Sequence, residues 1–301
     1  MRTYPECIPC FFRQTLEASR IAGASRKKQE EILYELIEIL HNSPFAGKPP
    51  EMGRVLYGLV TKHTGNKDPY ARIKRKSNQL GLSVYPKLRK KIEKSKDRLL
   101  TAVELAISGN VIDYGAKNTL NVDRELDKIM KGKKSSVKVK NNPLFDYSHF
   151  RRDLDKSMII LYLADNAGET VFDRILIEEI KRRDSAKIIY YVVKDKPIIN
   201  DALAQDAHAC GIDKFAKIIS SGSDGPGTIL SRCSKKFLTL FNKADLIISK
   251  GQGNFEQLSS VSRPIYFLLM AKCPVVAREV HAPVGDIILI SQVHRKKSRL
   301  K

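Results

Sequence analysis

Asp165 and Asn166 are adjacent polar residues that follow the apolar run Met158–Leu163 in this chain of 301 residues. The run is rich in β-branched and aromatic residues and too short for a helix, which predicts a strand buried on both faces. The two polar residues therefore stand at the carboxyl end of a strand, where open α/β sheets bind their ligands. Carboxylate and amide oxygens suit Mg²⁺ or Mn²⁺. A helix N-cap or a turn would equally explain the dipeptide taken alone.

Four later strand ends carry residues of the same chemical kinds. Asp201 follows the second predicted strand, a Gly- and Ser-rich loop at 220–228 follows the third, and Lys250 and Lys272 follow the next two. Each has a local explanation on its own, namely an N-cap, a tight turn or a lysine that reaches into solvent. Together they offer two carboxylates and an amide for a divalent metal, with lysines that neutralise phosphate oxygens. Such a set predicts a phosphoryl-transfer site.

The secondary structure predicted to hold these residues differs between the two parts of the chain. From Phe11 to about Ala106 the apolar residues recur with helical spacing, and prolines, including Pro86, are predicted to separate the helices. After a basic, polar loop at 131–142, strands and helices alternate. The predicted strands are Met158–Ala164, Lys187–Val193, Lys217–Ser220, Asp245–Ser249, Ile265–Leu269 and Ile287–Ser291, and the predicted helices are Gly168–Arg183, Asp201–Ala209 and Thr228–Lys243. We therefore predict an N-terminal all-helical domain, residues 1–140, and an α/β domain, residues 141–301, with a mostly parallel sheet sandwiched by helices.

Lysine and arginine, 54 in total, exceed the 33 aspartates and glutamates, which gives a formal net charge of +21. The excess favours anionic partners, either nucleic acids or small phosphorylated molecules. Aromatic residues make up only 7%, tryptophan is absent and no nucleic-acid-binding motif is recognisable, so small anions are the favoured partners. No apolar stretch is long enough for a membrane span and no signal core begins the chain, which predicts a cytoplasmic protein without a membrane partner.

Cys7 and Cys10 form a Cys-x-x-Cys pair near the start of the chain, a spacing that lets two thiols bind one metal or each other. A zinc finger needs a second pair and a thioredoxin-like motif needs a βαβ context, and the sequence offers neither. Two interpretations stay open: sulfurs packed at a helix entry, or a second metal site completed by a distant histidine such as His41 or His63. The other three cysteines are scattered, which argues against a disulfide framework.

Five ordered motifs carry a resemblance to a known family: ECIPC, GNVIDYG, LADNAGE, PIINDA and KGQGNFE. With them the chain resembles the metal-dependent damage-control phosphatases over nearly its whole length, in the compact microbial branch that has the Cys-x-x-Cys pair. The resemblance implies a helical N-terminal region on a Rossmann-like α/β domain, and hydrolysis of phosphomonoesters of small metabolites such as sugar phosphates or damaged metabolites. It implies as cofactor a divalent metal, Mn²⁺, Mg²⁺, Co²⁺ or Ni²⁺, held by Asp165, Asn166 and Asp201.

The same resemblance assigns roles to further residues. Asp165, Lys272 and Glu256 are the expected catalytic residues, although Asp165 could serve as a nucleophile or only as a metal ligand. The expected substrate contacts are Asn110, Glu169, Lys250, Gly251, Gly253 and Asn254. Asn110 follows Gly109 at a predicted helix end, where a simple C-cap is the local alternative.

Two other functions stay open at this point. A methyltransferase that uses S-adenosylmethionine also places a loop after its first strand, but LADNAGE has one glycine where the usual nucleotide-cofactor loop has three. A basic nucleic-acid-binding protein would instead use the positively charged surface. Phosphate release with an added divalent metal distinguishes the phosphatase from both alternatives.

Overall fold

A computed structural model describes residues 1–42, 47–109 and 143–292. These residues contain eleven α-helices: α1 Cys7–Ile21, α2 Arg26–Asn42, α3 Pro49–Thr64, α4 Ala71–Glu93, α5 Arg98–Ser108, α6 Tyr147–Lys156, α7 Thr170–Arg183, α8 Ala204–Ala209, α9 Lys235–Lys243, α10 Gln252–Leu258 and α11 Pro274–Val280. Their strands are β1 Ile159–Leu163, β2 Ile188–Val193, β3 Lys217–Ser220, β4 Leu246–Lys250, β5 Ile265–Met270 and β6 Ile287–Ser291. The predicted domain boundary at 140/141, the loop at 131–142 and Asn110 lie outside the described residues.

The six strands form one sheet in the order β3-β2-β1-β4-β5-β6, in which only β6 runs antiparallel to its neighbour. The prediction of a mostly parallel sheet is therefore confirmed. The strand order reverses between β1 and β4, which are hydrogen-bonded neighbours although β2, β3 and the helices around them separate β1 from β4 along the chain. A crevice forms outside the carboxyl ends of the strands at such a switch point. Residues that follow β1 and β4 are thus placed to share one site.

Both faces of β1 are covered, as its apolar sequence predicts. Ile160 and Tyr162 point into a cluster that includes side chains of α4, α5 and α7, while Leu161 and Leu163 point into a second cluster with α9, α10 and α11. This alternation follows from the two-residue period of a strand. Because buried apolar area contributes roughly 25 cal/mol per Å², these two clusters hold the helices against the sheet.

The N-terminal helices divide between two packing regions. Helices α1, α2 and α3 surround a third apolar cluster, to which α11 also contributes, whereas α4 and α5 belong to the cluster on one face of the sheet. Pro86 lies inside α4, so the prediction that it separates two helices is wrong. A proline in a helix costs about 3 kcal/mol, and the burial of Val84 and Leu88 on either side of it offsets this cost. Within the described part of the chain, no helix is both long and apolar enough to cross a membrane.

Several predicted boundaries near the strand ends are wrong. Asp201 does not begin a helix, because α8 starts three residues later. The predicted helix at 228–243 consists of a short 3-10 turn followed by the shorter α9. Helix α10 is not predicted because Gly253 lies in a glycine-rich segment, yet the segment is helical and buries Phe255 against the sheet. Short helices of this kind are set by tertiary packing rather than by helix propensity.

Gly81 lets α4 pack directly against the loop after β1. A Cβ built on Gly81 would lie 2.9 Å from Val171 Cγ2 and 3.0 Å from the carbonyl oxygen of Gly168. We therefore expect Gly81→Ala to lower the free energy of unfolding by about 1–3 kcal/mol, the usual range for overpacking. Gly58 in α3 is the matched control, since open space surrounds it, and Gly58→Ala should raise stability by about 0.5–1 kcal/mol. Urea unfolding measures both variants, and equal effects would contradict the close contact at Gly81.

Candidate active site

The loops after β1 and β2 are joined backbone to backbone, which brings the three predicted metal ligands together. Asn166 and Asp201 form an isolated antiparallel bridge between the two loops. Ala202 N donates to the carbonyl oxygen of Asp165 at 2.9 Å. Asn166 and Asp201 are buried and Asp165 is partly exposed. Asp165, Asn166 and Asp201 thus share one rim of the sheet, and this set is called the rim below.

The residues that follow β4 and β5 lie beside the rim. Gly251 follows β4 with a φ of 81°, a left-handed conformation that favours glycine. A Cβ built on Gly251 would overlap the carboxylate of Asp165, so a side chain at this position would displace that carboxylate. Lys272 follows β5 with an exposed side chain, and its positive charge acts on Asp165. Two of the predicted site residues, Gly251 and Lys272, are therefore close to the rim.

Asp165 occupies an environment that disfavours its negative charge. Its pKa lies well above the usual range, first because the surrounding protein excludes water and then because Glu169 and Asp201 are also negative. Lys272 and Lys250 lower this pKa without reversing the shift. A divalent cation would supply the missing positive charge and favour the ionised carboxylate.

Lys250 is fully buried and forms ion pairs with two carboxylates. Its Nζ lies 2.8 Å from Asp173 Oδ1 and 3.2 Å from Glu169 Oε2. Glu169 Oε1 in turn accepts from Asn166 Nδ2 at 3.0 Å, and the same amide donates to Asp165 Oδ2 at 3.3 Å. A continuous chain of contacts therefore runs from the buried lysine to the carboxylate at the rim.

Asp173 anchors the far end of this chain and is not among the predicted site residues. Its Oδ1 accepts from Tyr162 OH and its Oδ2 accepts from Tyr191 OH, both at 2.8 Å. Burial alone would lower the pKa of Lys250, but the carboxylates of Asp173 and Glu169 outweigh burial and raise it. The spacing of Asp173, four residues after Glu169, puts both on one side of α7 and is the signal in the sequence that points to it.

Three predicted substrate contacts, Glu169, Lys250 and Asn254, are buried and bind other groups of the protein. Asn254 Nδ2 donates to the carbonyl oxygens of Ala164 and Lys250 at 3.0 and 2.8 Å, and its Oδ1 accepts from Thr228 Oγ1 at 2.7 Å. Asn254 thus ties the ends of β1 and β4 to the Gly-rich loop. Direct contact of these three side chains with a substrate stays a prediction.

Lys194 is a further buried cation of the site that is absent from the predicted set. It follows β2 directly, is 6% exposed and places its Nζ 3.5 Å from Asp201 Oδ2. The same Nζ donates to the carbonyl oxygen of Gly227, a residue that packs against Gly253. Lys194 therefore neutralises charge on Asp201 and fixes the Gly-rich loop beside it. Its position at the end of a buried strand is the signal that the sequence contains.

Asn78 connects α4 to the loop after β1. Its Oδ1 accepts from Gly168 N and its Nδ2 donates to Asp206 Oδ1, both at 2.7 Å. Lys74, one helical turn earlier, is also buried and pairs with Asp68 at 2.9 Å. The four-residue spacing places Lys74 and Asn78 on one face of α4. This face is a buried polar stripe toward the α/β layer, and the helical region thereby helps to position the rim.

Glu256, a predicted catalytic residue, lies on a different side of α10 from Asn254, because residues two apart on a helix are separated by about 200°. Its Oε1 accepts from Gln252 Nε2 at 2.9 Å, and burial raises its pKa to about 7. Its charge acts on the N-terminal amine and on the thiol of Cys7. Glu256 therefore lies beside α1 and is linked through Gln252, which accepts from Lys272 N at 3.1 Å, to the end of β5. Its catalytic role stays a prediction.

Cys7 and Cys10 are free thiols at the start of α1. Burial raises the pKa of Cys7, which belongs to the apolar cluster of the first three helices, and Cys10 Sγ accepts from Gln14 Nε2 at 3.0 Å. His63, one of the histidines considered as a further ligand, binds Glu35 at 2.8 Å. These contacts favour sulfurs packed at a helix entry, and the second metal site stays a prediction.

The donor atoms of the rim fit a hard divalent cation. In residues 1–42, 47–109 and 143–292, no group of three or more His, Cys, Asp or Glu side chains is assembled to hold a metal ion. A metal at the rim would therefore use the carboxylates of Asp165 and Asp201 with the amide oxygen of Asn166, and water or substrate oxygens would complete its shell. Mg²⁺ suits this arrangement because it keeps several water ligands and takes only one or two carboxylates.

The close approach of Gly251 to Asp165 can be tested through metal affinity. Gly251→Ala should displace the Asp165 carboxylate and weaken Mn²⁺ binding by about tenfold or more. This is the usual loss of affinity when residues that surround metal ligands are substituted. Gly285 is the matched control, because it also has a positive φ, 97°, but open space around it, so Gly285→Ala places an alanine at a positive φ without the overlap. Calorimetric titration measures both affinities. Unchanged binding in Gly251→Ala would contradict this role for the glycine.

Substitution of the buried Lys250 and of the exposed Lys272 should differ sharply in their effect on the free energy of unfolding. Lys250→Met leaves Glu169 and Asp173 buried without their cation, so we expect the free energy of unfolding to fall by about 3–5 kcal/mol. Lys272→Met removes an exposed charge and should change it by no more than about 0.5 kcal/mol. Guanidinium unfolding measures both. A Lys250→Met protein as stable as Lys272→Met would show that the ion pairs do not hold the strand ends together.

Comparisons of sequence and of structure both find known proteins that are similar to this chain. A family model described as the damage-control phosphatase ARMT1-like domain matches residues 3–288. An uncharacterized protein of Methanocaldococcus jannaschii is 38% identical over 296 residues, covering 96% of this chain and 95% of that protein. The damage-control phosphatase PH1575 of Pyrococcus horikoshii is 34% identical over 291 residues, covering 96% of this chain and 97% of that protein. The crystal structure of a DUF89 family protein (PH1575) from the same organism matches with a TM-score of 0.84 and 33% identity, covering 97% of this chain and 99% of that chain. The chain therefore belongs to the ARMT1-like damage-control phosphatase family.

Proposed function

We propose that this protein is a metal-dependent phosphatase that hydrolyses phosphomonoesters of small metabolites in the cytoplasm. The family supports a phosphatase that acts on damaged metabolites, and the metal, the ester class and the location are the parts that we add. The observation that carries the proposal is the convergence of Asp165, Asn166 and Asp201 beside Gly251 at the switch point of the sheet. Three protein ligands leave room for water and substrate on a cation, as hydrolysis requires.

Each residue of the rim, and each lysine beside it, then has a defined role. When bound, a divalent metal would withdraw charge from phosphoryl oxygens and lower the pKa of a bound water. Asp165, Asn166 and Asp201 would hold it, and Lys272 would neutralise further phosphate charge from the end of β5. Lys194, 3.5 Å from Asp201, limits the repulsion between the two carboxylates. The net charge of +21 raises the local concentration of anionic substrates around the protein as a whole.

The buried ion pairs support this assignment because they fix the orientation of the ligands. Asn166 Nδ2 donates to Glu169, so the amide has one orientation and its Oδ1 is the atom that can ligate. Glu169 is itself held by Lys250. A ligand held in this way loses little freedom when a cation binds, which is the usual role of groups that surround metal ligands. Lys250 and Glu169 are therefore proposed as positioning residues.

Activity should depend on an added metal. Protein treated with a chelator should release no phosphate from p-nitrophenyl phosphate or from a panel of sugar and cofactor phosphates, and Mn²⁺, Mg²⁺, Co²⁺ or Ni²⁺ should restore release. Asp165→Asn and Asp201→Asn should each lower kcat/KM by about 10²-fold or more, the scale of losing one preorganised electrostatic contact. Asp213→Asn, at an exposed aspartate outside the rim, is the matched control.

Three outcomes are decisive for this experiment. Equal turnover with chelator and with metal would contradict the metal dependence. Lost activity with unchanged metal affinity in both rim variants would contradict their assignment as ligands and would favour Asp165 as a nucleophile. No phosphate release under any of the four metals would contradict the phosphatase and would reopen the methyltransferase and nucleic-acid-binding alternatives.

A further inference from the structure

The loops after β4 and β5 are joined by one side chain, that of Gln252, the first residue of α10. Its Oε1 accepts from Lys272 N at 3.1 Å, and its Nε2 donates to Cys273 Sγ at 3.5 Å. Gly251, the residue before it, has its backbone directly against the carboxylate of Asp165. Gln252 therefore connects the backbone that packs against Asp165 to the turn that carries Lys272.

Glu256 fixes the orientation of the Gln252 amide from the other side. Its Oε1 accepts from Gln252 Nε2 at 2.9 Å, one helical turn along α10. An ionised carboxylate only accepts and the backbone N–H of Lys272 only donates, so an amide between them satisfies both in one orientation. Glu256 is 8% exposed, so water cannot easily replace this hydrogen bond. A series of hydrogen bonds thus runs from Glu256 through Gln252 to Lys272.

Lys272 is the member of this series whose positive charge acts on the rim. Ala271, the residue before it, is buried; its N–H donates to the carbonyl oxygen of Asp286 at 3.1 Å, and its carbonyl oxygen accepts from Gly285 N at 2.8 Å. Gln252 supplies the next hydrogen bond along the backbone, to the N–H of Lys272. The backbone is thereby held up to the point where the exposed lysine side chain begins.

We infer that Gln252 is a positioning residue for Lys272, and that Glu256 acts through Gln252 rather than on the substrate. Glu256 orients the amide of Gln252, and the amide oxygen holds the backbone from which Lys272 reaches phosphate. This role would replace the catalytic one that the family resemblance implies for Glu256. The inference rests on the proposed phosphatase function, in which Lys272 neutralises phosphate charge, and it adds the two residues of α10 that place this lysine.

Substitutions by methionine test the two links of this series. Gln252→Met and Glu256→Met keep the length of the side chain and remove its hydrogen bonds. Each should raise the inhibition constant of inorganic phosphate, and lower kcat/KM for p-nitrophenyl phosphate, by about five- to tenfold, the effect of one hydrogen bond. Because both act on one contact, the double variant should lose no more than either single variant. Gln257→Met is the matched control in the same helix and should change neither value, since Gln257 Nε2 has no hydrogen-bond partner among the described residues.

A conservative variant distinguishes positioning from catalysis. Glu256→Gln keeps an acceptor for Gln252 Nε2 but can neither carry a charge nor take up a proton. Its kcat/KM should therefore stay within about threefold of the wild type, because only the strength of one hydrogen bond changes. A catalytic carboxylate would instead lose about 10²-fold or more in this variant, mostly in kcat. Such a loss would overturn the inference.

Hydrogen exchange separates failure of this inference from failure of the phosphatase function, because it needs no turnover. The backbone N–H of Lys272, followed by NMR, should exchange with deuterium about tenfold faster in Gln252→Met and in Glu256→Met than in the wild type and in Gln257→Met. Unchanged exchange in Gln252→Met would overturn the inference even if the enzyme is active. No turnover of p-nitrophenyl phosphate by the wild type under any of the four metals would instead contradict the phosphatase function.

Discussion

The buried ion pairs of Lys250 with Glu169 and Asp173 are the interaction on which the rest of the site depends. All three side chains are fully buried, and buried charges are tolerated only when short contacts and further hydrogen bonds compensate for the lost water. Two tyrosine hydroxyls on Asp173 and the amide of Asn166 on Glu169 provide these bonds. Lys250 ends β4, whereas both carboxylates follow β1. The pairing therefore fixes the ends of two neighbouring strands against each other, and with them the position of Asp165.

The charges of the rim and of the charged side chains around it do not cancel among the described residues. Four carboxylates and three lysines take part: Asp165, Glu169, Asp173, Asp201, Lys194, Lys250 and Lys272. With all seven ionised, the excess is one negative charge, which agrees with the raised pKa of Asp165. A dication would turn this into an excess of one positive charge. The rim would then attract a phosphate dianion, whereas without the cation it would repel one.

Residue patterns predict the strands and their ends because a parallel sheet buried on both faces needs continuous apolar runs. The position of Asp165 and Asp201 follows from those runs and from the rule that ligands bind at the carboxyl ends of strands. Roles that depend on distant partners do not follow. Asn78 contacts Gly168 across 90 residues of chain, and Lys194 contacts the Gly-rich loop 33 residues later. These contacts cannot be predicted from local spacing, although Lys194 itself stands at a predicted strand end. Glu256 shows the opposite case, since it stands next to site residues in sequence while helix α10 turns it toward α1, and its catalytic role stays a prediction.

The two layers of the molecule contribute differently to the site. The α/β layer supplies the rim and the buried ion pairs of Lys250. The topology of the sheet fixes the positions of both. Helix α4 supplies Asn78 and Gly81, which both lie against the loop that carries the rim at Gly168. Substitutions elsewhere in the helical region can therefore change its packing without separating Lys250 from its carboxylates. On this view buried charge fixes the position of the rim, and the helices that pack against it hold the loop after β1 in place.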